Sequence, residues 1–266
     1  MTDSTDQTSP QHPLVAARTD VGAVRELNED SYTVLTDPVF LAAVADGMGG
    51  HAAGEVASAA AVRALDDGLA RLVEAEGGPS LEGLGELVHA AHQAVLEQGP
   101  DGSGTTLTLL AALDPAEGRW AVANVGDSRV YRRPAGSAVL QQLTVDHSAV
   151  QMLVDAGELT PDEARVHPRR NVITRALGTT EQLVVDVGEV HAVPGDRFLL
   201  CSDGLTGELL DEEVLALLEN NTDPQSAVDA LVQAALWRGG RDNVTVVLVQ
   251  IPEDAEAAAE AEPTAD

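Results

Sequence analysis

The sequence predicts an α+β fold, a four-layer α-β-β-α sandwich in which two central antiparallel sheets are flanked by helix pairs. The first observation behind this prediction is that strand-like segments arrive in runs, whereas a doubly wound parallel sheet needs strands and helices to alternate. The second is that the long helical patterns arrive in pairs. The third is that 266 residues with 44% apolar content suffice for one large core.

The strands are predicted from short aliphatic or β-branched stretches that Gly, Asp or Pro residues bound. Aromatic residues make up only 2% of the chain, so Val, Leu and Ala must fill the core. The predicted strands are residues 14–19, 31–35, 39–45, 106–113, 119–125, 129–133, 138–143, 183–190, 197–202 and 243–251.

The helices are predicted from apolar residues that repeat at the three- and four-residue spacing of an amphipathic helix. The first pair is 52–75 with 81–97, and the second pair is 211–220 with 224–238. A shorter helix is predicted after Thr160, because Thr at the N-cap, Pro at the first helical position and Glu three residues after the cap form a capping box.

The chain is predicted to form one domain over residues 13–251, because no repeat and no linker-like stretch interrupts it. Residues 1–12 are rich in Ser, Thr, Gln and Pro, and residues 252–266 carry only acidic charge, so both segments are predicted to be disordered. No apolar run approaches the roughly 18 residues of a membrane span, and the polar start lacks a signal-peptide core. We therefore expect a cytoplasmic protein without a membrane span.

Charge is strongly unbalanced in this chain. There are 15 basic residues, all of them Arg, against 44 acidic ones, which gives a formal net charge of −29. Such a surface repels nucleic acids and anionic membranes, so neither is expected as a partner. The single cysteine, Cys201, excludes an intramolecular disulfide, and its apolar neighbours predict a buried thiol without a chemical role.

Four Asp-Gly pairs occur, and their contexts separate them. Asp67 and Asp101 lie in polar helix-end or loop contexts and are predicted to form turns. Asp46 and Asp203 instead follow the apolar stretches VFLAAVA and RFLLCS, so each carboxylate is delivered at the end of a strand. A carboxylate in that position is costly unless a partner compensates its charge.

Two more acids fall at predicted strand edges, Asp127 after strand 119–125 and Asp242 before the last strand. If the acids at the four strand edges converge, their mutual repulsion favours a hard divalent cation as the counter-charge. Gly47 lacks a Cβ, so its backbone can approach such an ion and offer a carbonyl oxygen. The alternative is that each acid only forms a turn.

A series of motifs in a fixed order resembles that of a known family over nearly all of residues 14–251. The chain resembles bacterial metal-dependent protein phosphatases, the PPM or type 2C Ser/Thr phosphatase family, and this many ordered motifs is a strong signal. The motifs are DVGAVRELNEDS (20–31), VADGMGGHAAGEVAS (44–58), GTTLT (104–108), NVGDSRVY (124–131), LTVDHS (143–148), HPRRNVITRALG (167–178), GDRFLLCSDGL (195–205) and GGRDNVTVVLV (239–249).

The resemblance implies two Mn²⁺ or Mg²⁺ ions at one edge of the sheets. By this likeness Asp46 bridges both ions, and Gly47 gives its carbonyl oxygen to one of them. Asp203 and Asp242 complete the coordination of the other ion. Asp127 matches the position that binds a third ion more weakly in bacterial relatives. Water fills the remaining positions, as these oxygen-preferring ions require.

The resemblance also implies the reaction. A hydroxide that bridges the two ions attacks the phosphoryl group, and Arg25 clamps the phosphate with its planar guanidinium. Glu29 and Asp30 match an acidic pair that holds metal-bound waters rather than the ions, and Asn243 is placed in the same outer layer.

One departure from the family pattern affects the proton donor. Met48 stands where many eukaryotic relatives have a histidine, and a thioether cannot protonate the leaving alcohol, so no protein acid is assigned. Ser128 is not a nucleophile candidate, because GDSR lacks the strand–GxSxG–helix setting of a hydrolase elbow.

The histidines are weak site candidates by their spacing. His89 and His92 lie three apart in a helical pattern without a nearby partner and are interpreted as ordinary helix residues. His147 and His167 border a segment, residues 145–178, that corresponds to the family's mobile flap beside the active site, and we call this segment the flap. The flap is expected to influence substrate choice.

The resemblance thus implies a Mn²⁺- or Mg²⁺-dependent phosphatase of phosphoserine and phosphothreonine proteins that opposes a bacterial Ser/Thr kinase. We expect a monomer. Two other functions stay open: a catalytically inactive relative that binds phosphopeptides, and a hydrolase of small phosphoesters. Retention of the matched acids and of Arg25 argues against the inactive relative.

Overall fold

Strands of this chain bury side chains on both of their faces, and this sets the order of the layers. A computed structural model describes residues 12–49, 53–75 and 78–253. In β11 (Val244–Gln250), Val246 and Leu248 pack toward helices, while Val247 and Val249 pack toward the other sheet. A sheet buried on both faces must lie between two other layers.

The first sheet has five strands in the order β1-β11-β10-β7-β8. Neighbouring strands are antiparallel throughout, from the pairing of β1 with β11 to that of β7 with β8. Its remaining strands are β1 (Leu14–Asp20), β7 (Arg129–Arg133), β8 (Gln141–Gln142) and β10 (Arg197–Cys201).

The second sheet follows the order β2-β3-β5-β6-β9, with the short strand β4 paired to the end of β3. All of its pairings are antiparallel as well. Its strands are β2 (Asp30–Leu35), β3 (Leu41–Met48), β4 (Gly104–Thr105), β5 (Leu107–Asp114), β6 (Arg119–Val125) and β9 (Asp186–His191).

Helices cover the outer faces of both sheets. The helices are α1 (Ala53–Glu74), α2 (Leu81–Gln98), α3 (Ala149–Asp155), α4 (Pro161–Val166), α5 (Asp203–Thr206), α6 (Asp211–Asn220) and α7 (Pro224–Arg238). The pair α1 and α2 packs on the second sheet, the pair α6 and α7 packs on the first, and α3 and α4 belong to the flap.

Three apolar clusters fill the three spaces between the four layers. Leu65 of α1 and Leu109 of β5 lie in the cluster between the first helix pair and the second sheet. Phe198 and Trp120 lie between the sheets, with their rings stacked at a centroid distance of 6.4 Å. Leu231 of α7 lies in the third cluster. This arrangement confirms the predicted α-β-β-α sandwich.

Several element predictions need correction. The Asp67–Gly68 pair, expected to form a turn, lies inside α1, where Gly68 leaves room for Leu87 of α2. The predicted strand 138–143 pairs only over Gln141–Gln142. Strand β4 was not predicted, since two residues are too short for a pattern. The predictions of disorder concern residues 1–12 and 252–266, which lie almost entirely outside the described residues.

No helix in the described ranges is both long and apolar enough to cross a bilayer.

Candidate metal and phosphate site

Strand ends of both sheets bring acidic side chains to one edge of the sandwich. Asp46 lies near the end of β3, and Asp30, the first residue of β2, stands opposite it in register. Asp203 begins α5 directly after β10, Asp242 precedes β11, and Asp127 lies between β6 and β7. Burial raises the pKa of Asp46 well above its ordinary value, and the charges of the other four carboxylates raise it further. The predicted acids therefore lie close enough to repel one another.

Burial is also the largest cause of high pKa values at three of these neighbours. It raises the pKa of Asp30 to about 7, of Asp127 to about 8 and of Asp203 to about 6. The charge of Asp203 adds to the rise at both Asp30 and Asp127, and that of Asp242 adds to it at Asp203. Such a cluster costs folding energy when it is ionised without counter-charge.

The metal-free protein is expected to lose stability as the pH rises from the ordinary Asp pKa of 3.8 toward about 8. The reason is that a carboxyl with a higher pKa in the folded chain than in the unfolded chain binds extra protons on folding in that window. Mn²⁺ would compensate the ionised cluster, so we expect its addition to raise Tm more at about pH 8 than at about pH 6. Thermal unfolding with Mn²⁺ or chelator measures this, and an equal Tm rise at both pH values would contradict it.

The backbone around Asp46 is fixed by two threonines that the sequence did not single out. The Asp46 N–H donates to Thr106 Oγ1 at 3.0 Å, and Thr105 Oγ1 donates to the Asp46 carbonyl at 3.0 Å. Thr106 Oγ1 also lies 2.7 Å from Ser128 Oγ. Ser128 therefore supports the site through Thr106, which agrees with its rejection as a nucleophile.

Asp30, which lies opposite Asp46, is held in place by residues of the other sheet. Ser202 Oγ donates to Asp30 Oδ2 at 2.8 Å and accepts the Thr245 N–H at 3.0 Å. The second carboxylate oxygen of Asp30 is buried and has no hydrogen-bond partner among the described residues. An unsatisfied carboxylate oxygen in a buried position fits a role beside a cation or its waters.

Glycine follows Asp46 and Asp203 because backbones approach each other there. A Cβ on Gly47 would lie 2.2 Å from the Gly54 carbonyl oxygen, and one on Gly204 would lie 1.8 Å from the Asn243 carbonyl oxygen. Gly47 thus has a steric reason that the sequence did not reveal, since α1 begins against the end of β3. Its carbonyl as an ion ligand stays a prediction.

Asn243 organises the loop between β1 and β2, residues 21–29. Its Oδ1 accepts the Glu29 N–H at 2.8 Å, and its Nδ2 donates to the carbonyls of Val21 at 2.9 Å and Leu27 at 2.8 Å. Glu29 in turn accepts the Gly54 N–H at 3.1 Å with Oε1. The predicted outer-layer residues Glu29 and Asn243 therefore connect the 21–29 loop to the segment before β11 and to the start of α1.

Arg25 lies at the tip of this loop, over the acidic cluster. Its Nη2 is 2.8 Å from Asp242 Oδ2 and its Nη1 is 4.0 Å from Glu29 Oε2. The Arg25 side chain remains 46% exposed, so the guanidinium faces solvent at the same edge. This position fits the predicted phosphate clamp.

The acids do not form a closed ligand set by themselves. Within residues 12–49, 53–75 and 78–253, no three Asp, Glu, His or Cys side chains converge tightly enough to hold an ion. Asp242 is instead held in its ion pair with Arg25. The donor set still fits hard divalent cations, because such ions take oxygen ligands from carboxylates, carbonyls and water.

Two histidines that the sequence analysis rated as weak candidates have defined partners. His92 lies in α2 as predicted, but it is buried and its Nδ1 accepts the Gly178 N–H at 3.0 Å, so the expectation that it lacks a partner was wrong. His147 is buried, and its Nδ1 accepts the Gly126 N–H at 3.0 Å. The donors to both Nδ1 atoms are backbone N–H groups, which leave no side-chain pattern in a sequence.

The comparisons with known proteins point to one family. A family model described as Protein phosphatase 2C matches residues 23–237. The serine/threonine protein phosphatase PstP of Mycobacterium tuberculosis is 44% identical over 243 residues, which are 89% of this chain. The chain spans only 44% of the length of that protein.

Two further matches cover nearly the whole of their counterparts. The serine/threonine phosphatase stp of Listeria monocytogenes is 38% identical over 88% of this chain and 94% of its own length. The crystal structure of the PstP catalytic domain in complex with 2 manganese ions aligns with a TM-score of 0.76 and 38% identity, over 91% of this chain and 99% of that one.

Proposed function

The chain belongs to the protein phosphatase 2C family, and we propose that it is a metal-dependent phosphatase of phosphoserine and phosphothreonine in proteins. One observation carries the proposal: buried carboxylates from both sheets crowd around Asp46 at the edge where Arg25 is exposed. Phosphoryl transfer to water needs carboxylates that bind the cations and, beside them, a guanidinium that binds the phosphate.

The chain's own ligands are assigned as follows. Asp46 with the Gly47 carbonyl would hold one ion, and Asp46 with Asp203 and Asp242 would hold a second. When bound, Mn²⁺ or Mg²⁺ supplies an activated water and the positive charge that stabilises the phosphoryl oxygens. Asp127 would hold a third, weaker ion. A manganese-bound relative supports Mn²⁺ as the ion to try first.

Arg25 would bind two phosphate oxygens with its fork and so orient the phosphorus toward the acidic cluster. It pairs with Asp242 through a single 2.8 Å contact, which leaves other N–H groups for the phosphate. Asn243 and Glu29 hold the loop that carries Arg25, so they set its position. Met48 ends β3 and cannot donate a proton, so no side chain is assigned as the acid.

The substrate class is proposed from the relatives, whose names describe serine/threonine phosphatases. A bacterial Ser/Thr kinase would supply the phosphorylated proteins. A cytoplasmic location, a monomeric state and the role of the flap in substrate choice stay predictions from the sequence. The domain limits at residues 13 and 251 stay predictions too.

The test is turnover of a phosphothreonine peptide with Mn²⁺, with Mg²⁺ and with chelator. We expect phosphate release with Mn²⁺ that chelator abolishes. Phosphopeptide binding without turnover at saturating Mn²⁺ would overturn the proposal in favour of the inactive binding protein. Turnover of p-nitrophenyl phosphate but of no phosphopeptide would favour a small-phosphoester hydrolase instead.

A further inference from the structure

The turn that carries Asp127, residues 124–128, has its carboxylate placed by the backbone alone. Among the described residues, Asp127 makes no side-chain hydrogen bond to another residue. The turn is held at its ends: Asn124 Nδ2 donates to the carbonyls of Gly126 at 3.2 Å and Val145 at 3.3 Å. Whatever fixes Gly126, the residue before Asp127, therefore also fixes where the Asp127 carboxylate points.

His147 holds Gly126 through both of its backbone polar groups. The Gly126 N–H donates to His147 Nδ1 at 3.0 Å, and the His147 N–H donates to the Gly126 carbonyl at 2.9 Å. His147 is only 7% exposed, so these bonds form in a dry environment. A buried, paired contact of this kind is costly to break, because it leaves polar groups without partners.

The tautomer of His147 follows from its partners. Nδ1 accepts an N–H, so the proton of the neutral ring is on Nε2, which donates to Asp186 Oδ2 at 3.0 Å. Arg175 Nη1 donates to the other oxygen, Asp186 Oδ1, at 2.9 Å. The 3.1 Å approach of Arg175 Nη1 to Nε2 joins two donors and is therefore not a hydrogen bond.

His147 thus lies between the Asp127 turn and the flap. It lies near the start of the flap, Arg175 lies near the flap's end, and Asp186 begins β9. The backbone of His147 also accepts the Thr174 N–H at 2.7 Å, which ties the two ends of the flap together. On the other side, Ser128 of the turn shares a hydrogen bond with Thr106 Oγ1, which also accepts the Asp46 N–H.

We propose that His147 is a positioning residue: it holds Gly126, thereby aims the Asp127 carboxylate, and couples this aim to the ends of the flap through Asp186. The proposal rests on the proposed function, in which Asp127 is a cation ligand. It assigns His147 no contact with substrate or ion.

The geometry separates two conservative variants. Asn places Oδ1 two bonds from Cβ, as His places Nδ1, so His147→Asn keeps an acceptor for the Gly126 N–H. Gln places its amide nitrogen three bonds from Cβ, as His places Nε2, so His147→Gln keeps a donor to Asp186 and loses that acceptor. His92→Gln is the matched control, because His92 accepts the Gly178 N–H in the same way but away from the Asp127 turn.

The experiment counts bound Mn²⁺ by electron paramagnetic resonance of free Mn²⁺, without substrate. We expect His147→Gln to weaken the weakest class of bound Mn²⁺ by about 10–100-fold, as loss of a residue that orients a ligand does. His147→Asn and His92→Gln should stay near wild type. Asp186→Ala, at a side chain that is 51% exposed and so tolerates truncation, should show a smaller loss.

Amide hydrogen exchange supplies the second readout. Exchange at Gly126 should rise in His147→Gln and remain slow in His147→Asn. Equal Mn²⁺ binding in the Asn and Gln variants, or loss of Mn²⁺ binding in His92→Gln, would overturn the proposal. Absence of peptide turnover in wild type, with the Mn²⁺ pattern as expected, would refute the proposed function and leave the role of His147 intact.

Discussion

Replacing Asp46 with Asn is expected to abolish turnover and at the same time to stabilise the metal-free protein. Asp46 is the shared ligand in the proposed site, so its loss should exceed the roughly 100-fold effect typical of residues outside the ligand set. The pKa of Asp46 is raised by burial and by the neighbouring charges. Ionising Asp46 in the folded protein therefore costs folding energy at pH values above its ordinary pKa. A neutral amide of the same shape removes this cost.

The measurement pairs phosphothreonine-peptide turnover in Mn²⁺ with thermal unfolding in chelator at about pH 8. Asp101→Asn is the matched control, because Asp101 also precedes a glycine but lies in an exposed turn. It should change neither quantity. An Asp46→Asn protein that turns over substrate normally, or that unfolds at a lower Tm in chelator, would contradict this account of the site.

Replacing Arg25 with Lys is expected to lower kcat/KM for a phosphopeptide by about 10–100-fold. A charged hydrogen bond is worth about 1.5–3 kcal/mol, and an ammonium cannot reproduce the two-pronged contact of a guanidinium. Mn²⁺ binding should be unchanged or tighter, because the variant weakens the ion pair with Asp242.

Steady-state kinetics and Mn²⁺ titration of Arg25→Lys separate these two effects. Arg18→Lys is its control, since Arg18 pairs with Asp229 on α7. A variant that loses Mn²⁺ binding together with activity would mean that Arg25 supports the cation ligands rather than the phosphate.

The sequence predicted the long elements better than the short ones. The ends of α6 and α7 coincide with the prediction, and the capping box at Thr160 is present. Those segments carry several turns of apolar periodicity or an explicit cap. By contrast, α5 has four residues and β4 has two, so neither is long enough to show a period.

Four acids of the site could be predicted because each follows or precedes an apolar strand, whereas Asp30 and Glu29 were named only through the family resemblance. Their convergence could not, since Asp30 and Ser202 meet across 172 positions of sequence. The supporting contacts escaped prediction for a different reason. His92 and His147 accept backbone N–H groups, and a backbone donor has no residue type to recognise.

The pairing of β1 with β11 has a consequence for the order of events on the ribosome. The strands of the second sheet end at His191, so that sheet can assemble while later residues are still being translated. Strand β1 leaves the ribosome before the other described strands, yet its neighbour β11 emerges after all of them, with Leu14 facing Gln250. Asp203 and Asp242 arrive in the same late stretch. A nascent chain therefore cannot complete the proposed two-ion site until the segment around β11 has been translated.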